Sequence, residues 1–180
     1  KGCYWGRCTF CGINNKYSQN DEVWDIDNAV RQIENIVHSG CKYFWAIDEA
    51  IPPFILAELG KTIIKKGISI GWQARSRIDP NFIEADSYHI LAKAGLKEIR
   101  LGFESASSRI LELMNKTDNE HHLEIAAEIV SHFCCEGVGV HFPTIIGFPT
   151  ETKKDRRETY SFLEKLQDEY PNFSYNINIF

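Results

Sequence analysis

The sequence predicts an α/β fold in which parallel strands form one sheet covered by amphipathic helices. Short apolar runs alternate with helical patterns, and successive strands begin near residues 42, 68, 97, 138 and 173. This repeat of about 30 residues or slightly more is typical of βαβ units. Alternating elements of this kind place their strands side by side in a parallel sheet. Periodicity alone is compatible with an open sheet and with a barrel.

In the first half of the chain, the helices have clear boundary signals. One helix ends before Gly40, and another opens at Pro52 and ends before Gly67, because glycine commonly follows a helix and proline fits its first turn. Asp79 is an N-cap candidate with Pro80 at the first helical position. The predicted elements are helices over residues 27–38, 52–66 and 79–94 and strands over 43–47, 68–74 and 97–103.

The second half continues the same alternation. A break around Thr117 and Asp118 separates two helices. The predicted elements are helices over residues 107–115, 120–136 and 152–169 and strands over 138–148 and 173–180. No linker rich in proline, serine or glycine interrupts the pattern, so we expect one domain over residues 1–180.

Composition excludes several classes of protein. The chain has 180 residues, 43 % hydrophobic, with 20 Lys and Arg against 25 Asp and Glu, a formal net charge of −5. These values are typical of a globular domain and not of a collagenous or disordered chain. We expect no membrane span, no general nucleic-acid surface and a cytoplasmic location, because long apolar runs, a basic balance and a signal pattern are lacking. Since the chain starts at Lys1, we expect a fragment of a longer protein.

Three of the six cysteines lie close together near the start. Cys3, Cys8 and Cys11 are separated by four and two residues, and three thiolates in one loop suit a soft metal. Structural zinc usually needs four protein ligands. The site therefore needs a distant fourth ligand or has an open metal position, which a [4Fe–4S] cluster held by three cysteines would provide. The other cysteines, at positions 41, 134 and 135, are interpreted as small buried residues.

Polar residues follow four successive predicted strands. In parallel α/β architectures the site lies at the carboxyl ends of the strands, so these groups should meet. Two carboxylate groups and an arginine group would suit a small zwitterionic ligand. The four groups are Asp48 and Glu49, residues 75–77, Glu104 with Ser105, and residues 147–151.

These residues resemble the motifs of the radical SAM superfamily. The cysteine loop has an aromatic Phe10 before its third cysteine, as the cluster loop of that family does. Residues 94–105, continued by 110–116, are similar to its fourth-strand region with Gly-x-Glu-Ser, and residues 144–152 are similar to its fifth-strand segment. Residues 47–49 lie where its second-strand motif belongs.

The resemblance implies a partial (β/α)6 TIM-like barrel of parallel strands, whose first strand precedes the cluster loop and is missing from this fragment. It implies a radical SAM core domain with a [4Fe–4S] cluster on Cys3, Cys8 and Cys11 and S-adenosylmethionine chelating the open iron. Reductive cleavage would give a 5′-deoxyadenosyl radical that abstracts hydrogen from an unknown substrate. The electron would come from a flavodoxin or ferredoxin type of donor.

For the adenosine half of the cofactor, we expect Phe10 to lie against the adenine. Ile146, Gly147 and Pro149 would form an apolar wall and a close backbone approach near that ring.

For the methionine half, Asp48 and Glu49 are placed to accept hydrogen bonds from the ammonium group. Arg75 is the first candidate for the carboxylate, with Arg77 as the second, because a guanidinium pairs with a carboxylate in a bidentate fork. Two further polar residues, Glu104 and Ser105, would hold the ribose hydroxyls or the amino group.

The reaction class stays open between three alternatives. The first cysteine gap is four residues instead of the family's usual three, a variant that occurs in proteins carrying a cobalamin-binding domain, which would lie outside this chain. It favours cobalamin-dependent methylation or rearrangement. A methylthiotransferase-like enzyme is the second alternative, and a non-catalytic iron–sulfur or zinc-binding module is the third.

Several other residues are given structural interpretations. We expect His121 and His122 to be solvated at a helix start. His141 lies within a strand and is interpreted as a core histidine, with a side chain that points into the barrel toward the substrate as the alternative. Trp45 and Trp72 are interpreted as core residues.

Overall fold

The computed structural model describes residues 2–13 and 25–180. Its helices are α1 (Ile26–His38), α2 (Pro53–Lys65), α3 (Asn81–Glu84), α4 (Ser87–Lys93), α5 (Ser108–Leu113), α6 (His122–Cys135) and α7 (Lys153–Glu169). Its strands are β1 (Tyr43–Trp45), β2 (Gly71–Arg77), β3 (Leu96–Gly102), β4 (Gly139–Ile146) and β5 (Phe173–Ile179).

The five strands form one parallel sheet in the order β1-β2-β3-β4-β5. Each strand therefore lies beside its neighbour in the sequence, with helices in the connections. This arrangement confirms the α/β class and the parallel strands. Within the described residues, none of the helices combines the length and apolar character that crossing a membrane requires.

The cysteine loop lies along the free edge of β1. Cys3 forms a parallel bridge with Ala50, whose N–H donates to the Gly2 carbonyl at 3.3 Å. The next N–H, that of Ile51, donates in the opposite direction to Arg75 of β2 at 3.0 Å. The sheet hydrogen bonding thus continues from β2 across the chain after β1 to the start of the loop.

The face of the sheet that is covered by helices carries the apolar core. Trp72 and Ile99, from β2 and β3, are fully buried there, as are Val140 and Phe142 of β4. The Trp72 indole donates to the Ala94 carbonyl at 3.0 Å, so its one polar atom is satisfied. The core interpretation of Trp72 is confirmed.

Gly95 is fixed by the close approach of two segments. Its φ of +92° lies in the left-handed region, and a Cβ there would lie 2.2 Å from the Ile70 carbonyl oxygen. Only glycine fits this turn, which joins α4 to β3.

The helix predicted over residues 79–94 is two helices. Asp86 adopts φ 47° and ψ 32° between α3 and α4, which interrupts the helical hydrogen bonding. Aspartate is one of the few non-glycine residues that tolerates this conformation. The first of the two helices has its N-cap at Pro80, one residue later than expected, while the Asp79 carboxylate accepts from the Asn81 N–H at 3.0 Å.

Several burial predictions are wrong. Trp45 is 41 % exposed and His122 only 5 % exposed, the reverse of the expectation for each. Cys41 and Cys135 are also exposed instead of buried, and Cys134 is half-buried.

Candidate functional site

A cavity of about 320 Å³ opens at the carboxyl ends of the strands. Its wall includes residues from the cysteine loop, from strands β2 to β5 and from the segments after β1, β3 and α5. Eight of the residues singled out from the sequence line it: Cys3, Cys8, Phe10, Cys11, Glu49, Arg75, Arg77 and Glu104. The rule that places polar strand-end residues in one site therefore holds for Glu49, Arg75, Arg77 and Glu104.

The cysteine loop is fixed against the end of α5 by hydrogen bonds that do not involve the thiols. Thr9 donates from its N–H to the Met114 carbonyl at 2.9 Å and from its hydroxyl to the Leu113 carbonyl at 3.0 Å. The Trp5 indole donates to the Asn115 carbonyl at 2.7 Å. The backbone of the loop is thus held in place while its three thiols line the cavity.

Cys8 is the most buried of these thiols, at 8 % exposure. Its burial raises the pKa of the thiol, while the positive charges of Lys116 and Arg77 oppose that shift and favour the thiolate. The two cations favour the thiolate, which is the form of cysteine that binds a metal.

Glu104 and Lys116 form a buried ion pair at 2.9 Å, with side chains 10 % and 7 % exposed. Glu104 follows β3 with φ 69° and is held by hydrogen bonds to Pro143 and Ile145. A Cβ at Gly102 would lie 2.6 Å from Lys116 Nζ and 3.1 Å from Glu104 Oε1. The missing side chain at Gly102 therefore makes room for this pair at the cavity wall.

Arg77 lies between the cysteine loop and this ion pair. Its guanidinium donates to the Lys116 carbonyl and stacks over the Trp5 ring at 4.2 Å. Its Nη1 is buried and has no hydrogen-bond partner among the described residues. A buried guanidinium with a donor left over is suited to an anionic group.

The donor set fits an iron–sulfur cluster, because three thiols from one loop line the same cavity. Within residues 2–13 and 25–180, no three His, Cys, Asp or Glu side chains come close enough to bind one ion, as structural zinc requires. A [4Fe–4S] cluster held by three thiolates places each on a different iron, so the sulfur atoms need not converge on one point. The nearby Arg77 and Lys116 would balance the negative charge of such a cluster.

Phe10 packs in a small apolar cluster at the edge of the cavity. The buried members of this cluster are Ile110, Met114 and Phe148, and Phe10 and Ile145 of β4 pack against it. The apolar surface beside Phe10 is thus built from these side chains.

The remaining predicted site residues lie outside the cavity lining. The Ser105 hydroxyl is fully buried, lies 3.2 Å from Thr159 Oγ1 and accepts from the Ser107 N–H at 3.1 Å. Gly147, with φ 82°, donates its N–H to the Glu151 carboxylate at 2.6 Å. The others outside the lining are Asp48, Ile146 and Pro149, of which Asp48 and Ile146 are half-buried and Pro149 is exposed. Their predicted roles stay predictions.

Among the polar lining residues, Arg100, Lys116 and Asn176 were not predicted from the sequence. The core interpretation of His141 is wrong and its alternative, a side chain directed into the barrel, holds. The ring is half-buried at the cavity and makes hydrogen bonds with Ser174 Oγ at 2.9 Å and Asn176 Oδ1 at 2.8 Å. The sequence alternation indicates this orientation. His141 stands between the apolar residues Val140 and Phe142, whose side chains are buried under the helices, so its own side chain points to the other face of the sheet. Lys116 follows a helix and has no comparable signal.

The comparison with protein families decides the affiliation of the chain. The family model of the radical SAM superfamily matches residues 1–163. The chain belongs to the radical SAM superfamily. This finding confirms the resemblance carried by the cysteine loop and the strand-end motifs.

Relatives of this radical SAM domain include methyltransferases and methylthiotransferases. An uncharacterized methyltransferase of Pyrococcus horikoshii is 26 % identical over 97 % of this chain and 37 % of its own length. A bacteriochlorophyllide d C-12(1)-methyltransferase of Chlorobaculum tepidum is 27 % identical over 97 % of this chain and 38 % of its own. A threonylcarbamoyladenosine tRNA methylthiotransferase of Aquifex aeolicus is 27 % identical, covering 91 % and 41 %. The chain spans about two fifths of the length of these relatives.

Solved structures share the fold of this radical SAM domain. The radical S-adenosylmethionine methyltransferase TsrM from Kitasatospora setae superimposes with a TM-score of 0.76 at 16 % identity, covering 97 % of this chain and 34 % of that one. The cobalamin-dependent radical enzyme OxsB gives a TM-score of 0.73 at 19 % identity, covering 91 % and 25 %. Both likenesses support the barrel-like arrangement of the strands.

Proposed function

We propose that this chain is the core domain of a radical SAM enzyme, with a [4Fe–4S] cluster on Cys3, Cys8 and Cys11 and S-adenosylmethionine in the adjoining cavity. The observation that carries the proposal is that the three thiols share one cavity with the buried Glu104–Lys116 pair. When bound at these residues, the cluster and S-adenosylmethionine would supply the chemistry of radical generation and hydrogen abstraction. The protein binds and orients these groups and keeps water from them.

Glu104 and Lys116 present one carboxylate and one ammonium to the cavity, which complements the zwitterionic methionine end of S-adenosylmethionine. Glu104 would accept from its ammonium, while Lys116 and Arg77 would hold its carboxylate. Both cations act on Cys8 electrostatically, so they lie near the position of the cluster. For the carboxylate of S-adenosylmethionine, this geometry favours Arg77, the second candidate from the sequence, over Arg75. The ion-pair partner of Arg75 is Glu49, at 3.5 Å.

Phe10 would contact the adenine, because it lines the cavity and packs against the apolar cluster that includes Met114 and Phe148. An aromatic ring among apolar neighbours gains stacking energy from a second flat ring. The Gly147 N–H is already bonded to Glu151, so Gly147 would act by shaping the loop next to Phe148.

Cobalamin-dependent methylation or rearrangement is the reaction class we favour. It is supported by relatives named as methyltransferases and by structures of cobalamin-dependent radical SAM proteins. The cobalamin would be bound outside this chain. A methylthiotransferase-like reaction is the second candidate, supported by the relative from Aquifex aeolicus. A flavodoxin or ferredoxin type of electron donor and a cytoplasmic location belong to the same proposal.

Iron binding tests the metal part of the proposal. Full-length protein reconstituted without oxygen should bind about four irons per chain, and Cys8→Ala should lose the cluster absorbance. Cys135→Ala removes an exposed thiol outside the cavity and should leave the iron content unchanged. Zinc binding without iron in the wild-type protein would contradict the proposal and favour the non-catalytic module.

A further inference from the structure

The concave face of the sheet, opposite the helices, is polar. Residues that alternate with the core residues point to this face, among them Gln73, Arg75, Arg100, His141 and Asn176. Barrels whose interior serves only as a core fill it with bulky apolar side chains. A polar interior next to the candidate cofactor site indicates a chamber for a polar ligand.

Two arginines occupy adjacent positions in this chamber. Arg75 of β2 pairs in register with Arg100 of β3, so their backbones are about 5 Å apart. Both guanidiniums stack over the ring of Trp45, at 4.8 and 5.1 Å from its centroid. The half-exposed Trp45 thus holds two cations side by side, which explains why this tryptophan is outside the core.

Both guanidiniums have N–H donors that are not used by neighbouring side chains. Glu49 lies 3.5 Å from Arg75 Nη1, and Glu98 accepts from Arg100 Nε at 2.9 Å. No other described residue accepts a hydrogen bond from either guanidinium, and both line the cavity. Each guanidinium has five N–H donors, so the single carboxylate beside each arginine leaves further donors for a bound anion.

This pair is separate from the groups assigned to S-adenosylmethionine. Arg75 precedes Arg77 by two residues on the same strand, which places its backbone about 7 Å farther from the carboxyl end of β2. The cavity connects both levels. A ligand held by Arg75 and Arg100 would therefore lie deeper in the chamber than the proposed cofactor carboxylate, next to it.

We propose that Arg75 and Arg100, seated on Trp45, bind an anionic group of the substrate, either a carboxylate or a phosphate. The inference rests on the proposed function, because it treats the chamber as the place where the radical meets its substrate. Paired guanidiniums bind either anion through charge-assisted, bidentate hydrogen bonds. The substrate class is thus an organic anion, with its reacting carbon on the side of the cysteine loop.

Equilibrium binding tests this site without knowledge of the substrate. Full-length, cluster-loaded protein is titrated calorimetrically with propionate, inorganic phosphate and the neutral analogue propionamide, in the presence of S-adenosylmethionine. We expect one or both anions to bind and propionamide not to bind. Propionate alone identifies a carboxylate substrate, phosphate alone a phosphorylated one, and either result supports the site.

Substitutions of the two arginines test whether the anion binds at Arg75 and Arg100. Arg100→Gln and Arg75→Gln should each weaken anion binding tenfold or more, since each removes a charge-assisted hydrogen bond. Arg100→Lys keeps the charge but loses the fork, so it should weaken binding several-fold. Arg157→Gln, the same change at an exposed position of α7, should bind as the wild type does. Unchanged anion affinity in Arg100→Gln, or no anion binding by the wild type, would overturn the inference.

S-adenosylmethionine affinity, measured in the same samples, separates this inference from the proposed function. If the wild type binds S-adenosylmethionine and neither anion, only the substrate assignment fails. If it binds anions but no cluster and no S-adenosylmethionine, the proposed function fails and the chamber is an anion site of another kind.

Discussion

Replacing Lys116 by methionine tests the pair on which the cofactor assignment depends. Methionine keeps much of the length of the side chain and removes its charge. Glu104 would then be a buried carboxylate, 10 % exposed, whose ion-pair partner is gone. The perturbation therefore acts on stability through Glu104 and on cofactor binding through the lost ammonium.

The structure sets the size of both effects. Breaking a buried ion pair by removing one partner costs about 3–5 kcal/mol, and we expect a loss in this range. For S-adenosylmethionine, loss of a charge-assisted hydrogen bond of about 1.5–3 kcal/mol corresponds to an affinity about 10- to 100-fold weaker. The double variant Glu104→Gln, Lys116→Met removes both charges and should recover much of the stability.

Urea unfolding of the full-length protein and S-adenosylmethionine titration are the assays. Lys154→Met is the matched control, because Lys154 pairs with Glu158 at 3.7 Å on an exposed helix surface. It should cost less than about 1 kcal/mol and leave S-adenosylmethionine binding intact. A cost for Lys116→Met no greater than that of this control would refute the reasoning.

Three further variants test neighbouring features. Gly102→Ala places a methyl group against the Glu104–Lys116 pair and should weaken S-adenosylmethionine binding about tenfold by titration; Gly139→Ala, with ordinary contacts of 3.4 Å, should not. Burial, with Lys116 and Arg77 nearby, lowers the pKa of His122 to about 4. The unfolded chain therefore binds the proton more readily below pH 6.5, and stability should fall by about 3 kcal/mol between pH 6.5 and 4. His122→Leu should remove that slope in urea titrations, and an unchanged slope would assign it to other groups. Hydrogen bonds from Arg109, Ser107 and Thr152 hold the pKa of Asp155 far below its usual range. The stabilisation by the Asp155 carboxylate is present above about pH 4 and is lost in stronger acid. Asp155→Asn should therefore lower the free energy of unfolding by about 2 kcal/mol at pH 7 and by less at pH 2. An equal loss at both pH values would show that the negative charge of Asp155 is not the source of the stabilisation.

The strands and their parallel arrangement could be predicted from the sequence. Which side chains of each strand face the core and which face the cavity could be predicted only in part. Strand β2 lies over Gly71–Arg77 instead of residues 68–74, because polar Arg75 and Arg77 lie within the strand on its concave face. The expectation that a strand ends where its apolar run ends fails when one face lines a polar chamber.

The same two-residue alternation decides which strand-end residues reach the cavity. Gly102 and Glu104 line it, whereas Ser105 is turned toward Thr159 of α7. Position after a strand is visible in the sequence, but orientation depends on the backbone, here on the positive φ of Glu104.

Burial that depends on tertiary packing could not be predicted. His122 is adjacent to exposed His121, yet it is buried at the first position of α6 near Lys116 and Arg77. Lys116 is buried as an ion pair with Glu104, which lies twelve residues earlier in the sequence and compensates its charge. The cysteine spacing, by contrast, is local and needs no knowledge of the fold.

The most direct test of the central claim is the formation of 5′-deoxyadenosine. Reduced, cluster-loaded full-length protein given S-adenosylmethionine without oxygen should release 5′-deoxyadenosine, quantified by chromatography. Cys8→Ser should abolish this product, and Cys134→Ser, outside the cavity lining, should not. A protein that carries about four irons per chain and binds S-adenosylmethionine but forms no 5′-deoxyadenosine would contradict the account.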